Sequence, residues 1–252
     1  MFRAFLILVG VAFFIGWASP TFASPADDFA KGNQFFQNKQ YQQAIDSYRL
    51  VLSAGQESAN LYFNLGNAYF KKGDLGYAIL YYLKARRLAP GDDDIRSNLD
   101  FAKRMTSVQL EGVALNPVNT LLKSLVAPYQ LRTMAWYSSL FFVLFVLLLI
   151  IRFGLGRMFS WLKPATVVVV VLLVAVAFLT TFKYREEFLT RTAVIVAAQS
   201  EVRTGPTDQS DIELHGEQGL VVEILSESND YYNVLFENQR RGWIKRDLVA
   251  EV

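Results

Sequence analysis

The 252-residue sequence predicts a multidomain membrane protein: paired α-helical hairpins first, a two-helix transmembrane hairpin next, and a small all-β barrel last. Three observations carry this. Residues recur at one fixed offset between positions 25 and 92. Two long uncharged apolar runs occupy Ala135–Ile151 and Ala165–Phe182. Apolar residues alternate with period two from position 192 onward. Repeat length, apolar run length and hydrophobic period are the signals that separate these three kinds of element.

Each apolar run is about as long as a helix needs to cross a hydrocarbon core of roughly 30 Å. We assign transmembrane helices to 134–151 and 164–183. The loop between them, 152–163, contains Arg152, Arg157 and Lys163 and no acid. Basic loops beside spans stay cytoplasmic, so the segments before and after the hairpin are both expected on the outer, periplasmic face. The small polar groups of the runs are Ser138, Ser139, Thr166, Thr180 and Thr181, and neither run contains a charged residue. An ion path needs ionisable groups at membrane depth, so the hairpin reads as an anchor.

Residues 1–23 have the form of a signal peptide. Arg3 supplies the positive start, Phe5–Trp17 the apolar centre and Thr21-Phe22-Ala23 the small-residue cleavage site, with a mature start at Ser24. An uncleaved anchor is the alternative, and both readings leave residue 30 outside.

Between 25 and 92, Gly32 recurs as Gly66, Asn33 as Asn67, Ala44 as Ala78 and Tyr48 as Tyr82. An offset of 34 is the period of tetratricopeptide repeats, helical hairpins that stack side by side. The copies are 25–58 and 59–92. The second matches that family best, at Tyr62, Leu65-Gly66, Tyr69, Ala78, Tyr82, Ala85 and Pro90; the first departs with Gln56 where proline usually sits. Small residues at Gly66 and Ala78 suit close helix approach, with Tyr69 and Tyr82 expected between neighbouring hairpins. Asp92, Asp93 and Asp94 offset the dipole at the start of a capping helix, 94–108, that completes a domain over 24–108. Two repeats and a cap fall short of the usual three, so the array is expected to lean on a partner or on itself.

The resemblance to tetratricopeptide repeats implies a concave groove lined by the first helix of each hairpin, a protein-binding site at Phe29, Asn33, Phe36, Asn60, Phe63, Asn67 and Phe70. The two asparagines either meet a peptide backbone or tie the repeat together. Lysines that complete a carboxylate clamp in chaperone-binding relatives are missing, since position 29 is Phe and 94 is Asp.

The connector 109–133 contains Asn116-Pro117, a helix start, then Val118, Leu121, Leu122, Leu125 and Val126 on one helical face. Such a short amphipathic helix either lies in the membrane interface or packs on the repeat cap. Trp136, Tyr137 and Trp161 are placed as interfacial anchors.

Residues 192–252 alternate at Val194-Val196, Leu220-Val222-Ile224 and Tyr232-Val234-Phe236, with turn signals at Gly205-Pro206, Gly216 and Ser228-Asn229-Asp230. About five short strands are expected. Val202-Arg203-Thr204-Gly205-Pro206, Leu214-His215-Gly216-Glu217-Gln218-Gly219 and Gly242-Trp243-Ile244 resemble a bacterial SH3-like domain. Some relatives of that domain bind cell-wall peptides. The corresponding candidate surface is Tyr231, Tyr232, Arg241, Trp243 and Lys245, with aromatic stacking and cations for carboxylates. The alternative makes the rings core and the cations a solvated rim. His215 reads as a turn residue.

Composition excludes much. Net charge is +2, which argues against nucleic acid as a partner. There is no cysteine and one histidine, which removes disulfides, thiolate chemistry and most nucleophile–base pairs. No P-loop, HExxH or G-x-S-x-G occurs. The sequence therefore predicts no enzyme, no cofactor and no metal.

The order of parts resembles the BatE proteins of the Bacteroides aerotolerance operons: an export signal, two repeats, a two-span hairpin and a terminal SH3-like domain. That resemblance implies a membrane scaffold acting with membrane proteins that carry von Willebrand A domains and with a MoxR-type ATPase in envelope stress. The residues themselves support a membrane-anchored adaptor with two outward modules. A tether that reads peptidoglycan through the SH3-like domain is the alternative.

Overall fold

A computed structural model describes residues 24–106, 117–155 and 161–252. Residues 1–23, where an export signal is expected, the start of the connector and part of the basic loop lie outside the described residues. Two compact units result, one ending at Gln56 and the other running from Glu57 to Val252.

The first unit is a helical hairpin, α1 Pro25–Gln37 and α2 Tyr41–Ser53. Ser24 caps α1 in a reciprocal box. Its hydroxyl accepts from the Asp27 N–H at 3.2 Å, and its own N–H donates to Asp27 Oδ2 at 3.1 Å. Pro25 sits where a missing N–H costs nothing. Ala44, Ile45, Tyr48 and Val51 of α2 are buried at helical spacing. Lys39 turns the corner at φ 61°.

The second unit opens with an equivalent hairpin, α3 Ala59–Lys72 and α4 Leu75–Leu88. Ser58 caps α3 through the Leu61 N–H, and Gly73 ends it at φ 92°, a left-handed value that glycine adopts without strain. Helix α5, Asp93–Met105, is capped by Asp92, which accepts from the N–H groups of Asp94 and Ile95. It buries Ile95, Leu99 and Ala102, which follow the buried Leu61, Leu65 and Ala68 of α3 by one repeat length. Helix α5 thus takes the role of the first helix of a third copy. The rings expected between hairpins lie within one. Tyr82 covers Gly66, and Tyr69 stacks between Tyr77 and Tyr81 at 5.0 and 5.4 Å.

Helix α6 spans Pro117–Val126, and two long apolar helices follow, α7 Leu131–Leu155 and α8 Leu162–Tyr184. Both are long and apolar enough to cross a membrane. They pair as a hairpin through Ser138 and Thr180, whose hydroxyls lie 3.0 Å apart. Ser139, Thr166, Thr180 and Thr181 each return their hydroxyl proton to a backbone carbonyl one turn back, so none presents an unsatisfied donor. A π-helical turn, Arg185–Leu189, leads from α8 to the sheet.

Seven antiparallel strands follow: β1 Arg191–Ile195, β2 Gln199–Arg203, β3 Ile212–Glu217, β4 Val221–Ser228, β5 Tyr231–Phe236, β6 Arg241–Lys245 and β7 Val249–Glu251. Their order is β3-β2-β6-β5-β4-β1-β7. Val202, Ala193, Ile195, Val234, Phe236, Ile244 and Val249 share one core although they come from distant places in that order, so the sheet curls around its apolar face. The expectation of about five strands was too low. Strands β2 and β7, QSEVR and VAE, are too short and polar to show alternation. His215 is also reassigned: it stands in β3 opposite Glu201, not in a turn.

The sheet docks on α4. A Cβ at Gly76 would fall 2.8 Å from both the Ile195 carbonyl oxygen and the Val196 Cα. Only a residue without a side chain permits that approach. Beside it, Gln218 Nε2 donates to Asp74 Oδ1 at 3.1 Å. Desolvation there raises the Asp74 pKa above the ordinary carboxylate value.

Candidate functional site

Each hairpin builds the same four-residue cluster. In the first, the Tyr48 ring lies over Gly32, where a Cβ would come within 2.4 Å of it. The Tyr48 hydroxyl donates to Asn33 Oδ1 at 2.8 Å, and Phe29 tilts against the ring at 5.7 Å. In the second, Tyr82 lies over Gly66, donates to Asn67 Oδ1 at 2.7 Å and meets Phe63 at 5.9 Å. Both tyrosines are 1% exposed. Burial pushes the Tyr82 phenol far above its usual pKa. A buried hydroxyl without an acceptor is costly, so Asn33 and Asn67 fix the rings that space the two helices.

Of the two roles open for these asparagines, the geometry serves the tie within the repeat. Asn67 Oδ1 also accepts from Asn98 Nδ2 at 2.9 Å, which links α3 to α5. Among the other groove candidates, Phe36 meets Tyr41 at 5.6 Å and Phe70 meets Phe101 at 5.7 Å. Phe63 and Phe70 are half-buried, and Asn60 is exposed. Sequence reasoning missed the asparagine–tyrosine bond. Its signal was present, because Asn33 and Tyr48 recur together as Asn67 and Tyr82. It also missed the stack Tyr62–Tyr81–Tyr69–Tyr77 on α3 and α4, in which burial pushes the Tyr62 pKa up to about 12.

On the sheet, register brings four of the five candidates to one face. Tyr231 pairs with Lys245, Asn233 with Trp243 and Leu235 with Arg241, placing Tyr231, Arg241, Trp243 and Lys245 together. Tyr232 points the other way and belongs to the core. Its hydroxyl donates to Glu251 at 2.8 Å, and Arg246 lies 4.8 Å from its ring. Tyr231 is itself only 5% exposed, and the polar groups of this face are already internally bonded. Asp208 accepts from the Tyr231 hydroxyl at 2.7 Å and pairs with Lys245 at 2.7 Å, and these contacts hold the Asp208 pKa below its usual value.

The comparisons with known proteins agree with the helical part. Residues 32–73 match a TPR repeat model and residues 59–92 a tetratricopeptide repeat model. Protein bimA of Emericella nidulans is 29% identical over 62 residues, 25% of this chain. The chain spans 8% of that protein's length. The segment 32–92 is therefore a tetratricopeptide-repeat segment, a protein-interaction module.

Proposed function

We propose that this chain is a non-enzymatic adaptor held in a membrane by α7 and α8, with its repeats and its terminal sheet on the same, outer side. The observation that carries the reading is the exposed surface of those two helices. Phe142, Ile150, Val171 and Val174 are 56%, 63%, 61% and 61% exposed on two helices that are apolar along their length. A surface of that kind needs lipid or protein over it. Hydroxyls returned to the backbone remove the remaining cost of lipid burial. The matched repeats supply the protein-binding element. In this reading the sheet is SH3-like, and the assembly is of the BatE type, with von Willebrand A-domain membrane proteins and a MoxR-type ATPase as partners.

Because the chain lacks cysteine, single-cysteine variants report topology cleanly. Gln42→Cys and Gln239→Cys are expected to react with a membrane-impermeant maleimide from one side, and Arg152→Cys only after permeabilisation. Equal labelling of all three in intact cells would overturn the anchor. For the adaptor role, Asn60→Ala with Phe70→Ala in the full-length protein is expected to reduce co-isolation of von Willebrand A-domain proteins from gentle detergent extracts. Unchanged recovery removes the groove.

A second reading rests on the shared face of Tyr231, Arg241, Trp243 and Lys245, a surface suited to the carboxylates of wall peptides. Co-sedimentation with purified sacculi that fails with Trp243→Ala is its expected signature.

A further inference from the structure

The end of α4, helix α6, the foot of α8 and the start of β1 enclose a cavity of about 320 Å³. Its lining includes four cations, Arg86, Arg87, Lys123 and Lys183, and two side-chain carboxylates, Glu186 and Glu187. The lysines answer the acids: Lys123 pairs with Glu186 at 3.0 Å, and Lys183 pairs with Glu187 at 3.0 Å. The arginines are not answered in this way. Arg87 Nη2 reaches the Glu187 carbonyl oxygen at 3.4 Å, and its guanidinium lies 5.7 Å from the Phe188 ring. Among the described residues no carboxylate forms an ion pair with Arg86. Crowding lowers the Arg86 pKa by desolvation, with Asp100 the one charge that opposes it. Cationic side chains thus outnumber carboxylate side chains in the lining, which Val252 also joins.

The same elements present apolar surface. Val118, Leu121 and Leu125 of α6 are 63%, 58% and 49% exposed, and Phe188 and Leu189 follow Glu187 with 57% and 65% exposure. Lys183, 9% exposed, lies directly beyond the apolar run of α8. With α8 in a bilayer, the cavity sits at headgroup depth. A cationic hollow flanked by apolar side chains fits a molecule with a phosphate at one end and acyl chains at the other.

We propose that this cavity holds the phosphate of an anionic phospholipid. Arg86 and Arg87 donate to its oxygens, since guanidinium forks match phosphate geometry. Lys123 and Lys183 are positioned by Glu186 and Glu187. The proposal rests on the membrane reading above and adds a ligand to it.

The test titrates full-length protein in detergent with phosphatidylglycerol or phosphatidylcholine and reads retained lipid by native mass spectrometry. Wild type is expected to prefer phosphatidylglycerol. Arg86→Gln and Arg87→Gln are expected to weaken that binding about tenfold each, as loss of a bidentate donor does. Arg86→Lys, which keeps the charge and spares the fold, should fall between. Arg96→Gln, at an exposed residue paired with Asp93 on α5, should match wild type. Equal binding by wild type and the cavity variants overturns the site. Displacement of the lipid by inorganic phosphate overturns the lipid assignment in favour of a soluble phosphate. Flotation with phosphatidylcholine vesicles separates the two layers of argument. Wild type that does not float breaks the membrane reading, whereas wild type that floats without headgroup preference breaks only the proposal.

Discussion

The two helical hairpins share one local code and differ in what lies on their second helix. Gly32, Asn33, Tyr48 and Phe29 reappear as Gly66, Asn67, Tyr82 and Phe63 with the same contacts. One repeat length also carries Gln42 to Gly76. Gln42 is exposed and donates to Asp46 at 2.9 Å, whereas Gly76 is buried beneath β1. Inside a repeat, residues are dictated by helix-to-helix contact. On its outer face they are dictated by the neighbour. In α4 that neighbour is part of the same chain, the end of β1.

The largest expected effect separates the two faces. Gly76→Val drives a side chain into the backbone of β1, which cannot yield as a flexible side chain would. It should cost about 1–3 kcal/mol, whereas Gln42→Val should stay within about 0.5 kcal/mol. Denaturant unfolding measures both, and hydrogen exchange along α4 and β1 locates the loss. Equal costs would dissolve the contrast.

A smaller effect tests the shared code. Lys39 at φ 61° stands one repeat before Gly73 at φ 92°. Left-handed backbone is strained for lysine, so Lys39→Gly should stabilise the first hairpin by about 0.5–1 kcal/mol after the entropy lost to glycine. A fall in melting temperature would show that the two corners are not equivalent.

The smallest concerns pH. Desolvation raises the Asp74 pKa in the folded chain above its value of 3.8. The folded state then binds the proton more tightly than the unfolded state. This contribution to stability is present at low pH and lost as pH rises through the folded-state pKa. Asp74→Asn keeps the acceptor for Gln218 and a good helix-capping residue, and removes the half-buried charge. It should raise the melting temperature slightly at neutral pH, with an advantage that shrinks toward pH 3.8. An advantage that is constant with pH would place the cause outside this carboxyl group.

Legibility followed the distance between partners. The hairpins were readable because their contacts recur within 34 residues, a period visible by eye. The apolar helices were readable because lipid-length runs need no partner to be recognised. Tyr232 belongs to the core by strand alternation alone, since it shares the Tyr232-Val234-Phe236 alternation that marks β5. Gly76, read only as part of a helix, meets Ile195 and Val196 from far along the chain, and no local pattern announces such a pairing. The phosphate-site residues come from three separate helices and a turn, each of which alone looks like an ordinary solvated basic or acidic position.

The junction between α8 and the sheet has a consequence for encounter. Helix α8 ends at Tyr184, the π-helical turn fills 185–189, and Thr190 alone precedes β1 at Arg191. One residue provides at most about 3.5 Å of free contour. On so short a leash the sheet sweeps almost no volume. Its local concentration at α4 is correspondingly high, and the docked contact persists even where the bare interface would be weak. Whatever meets the sheet must diffuse to the foot of α8, because the sheet cannot go looking for it.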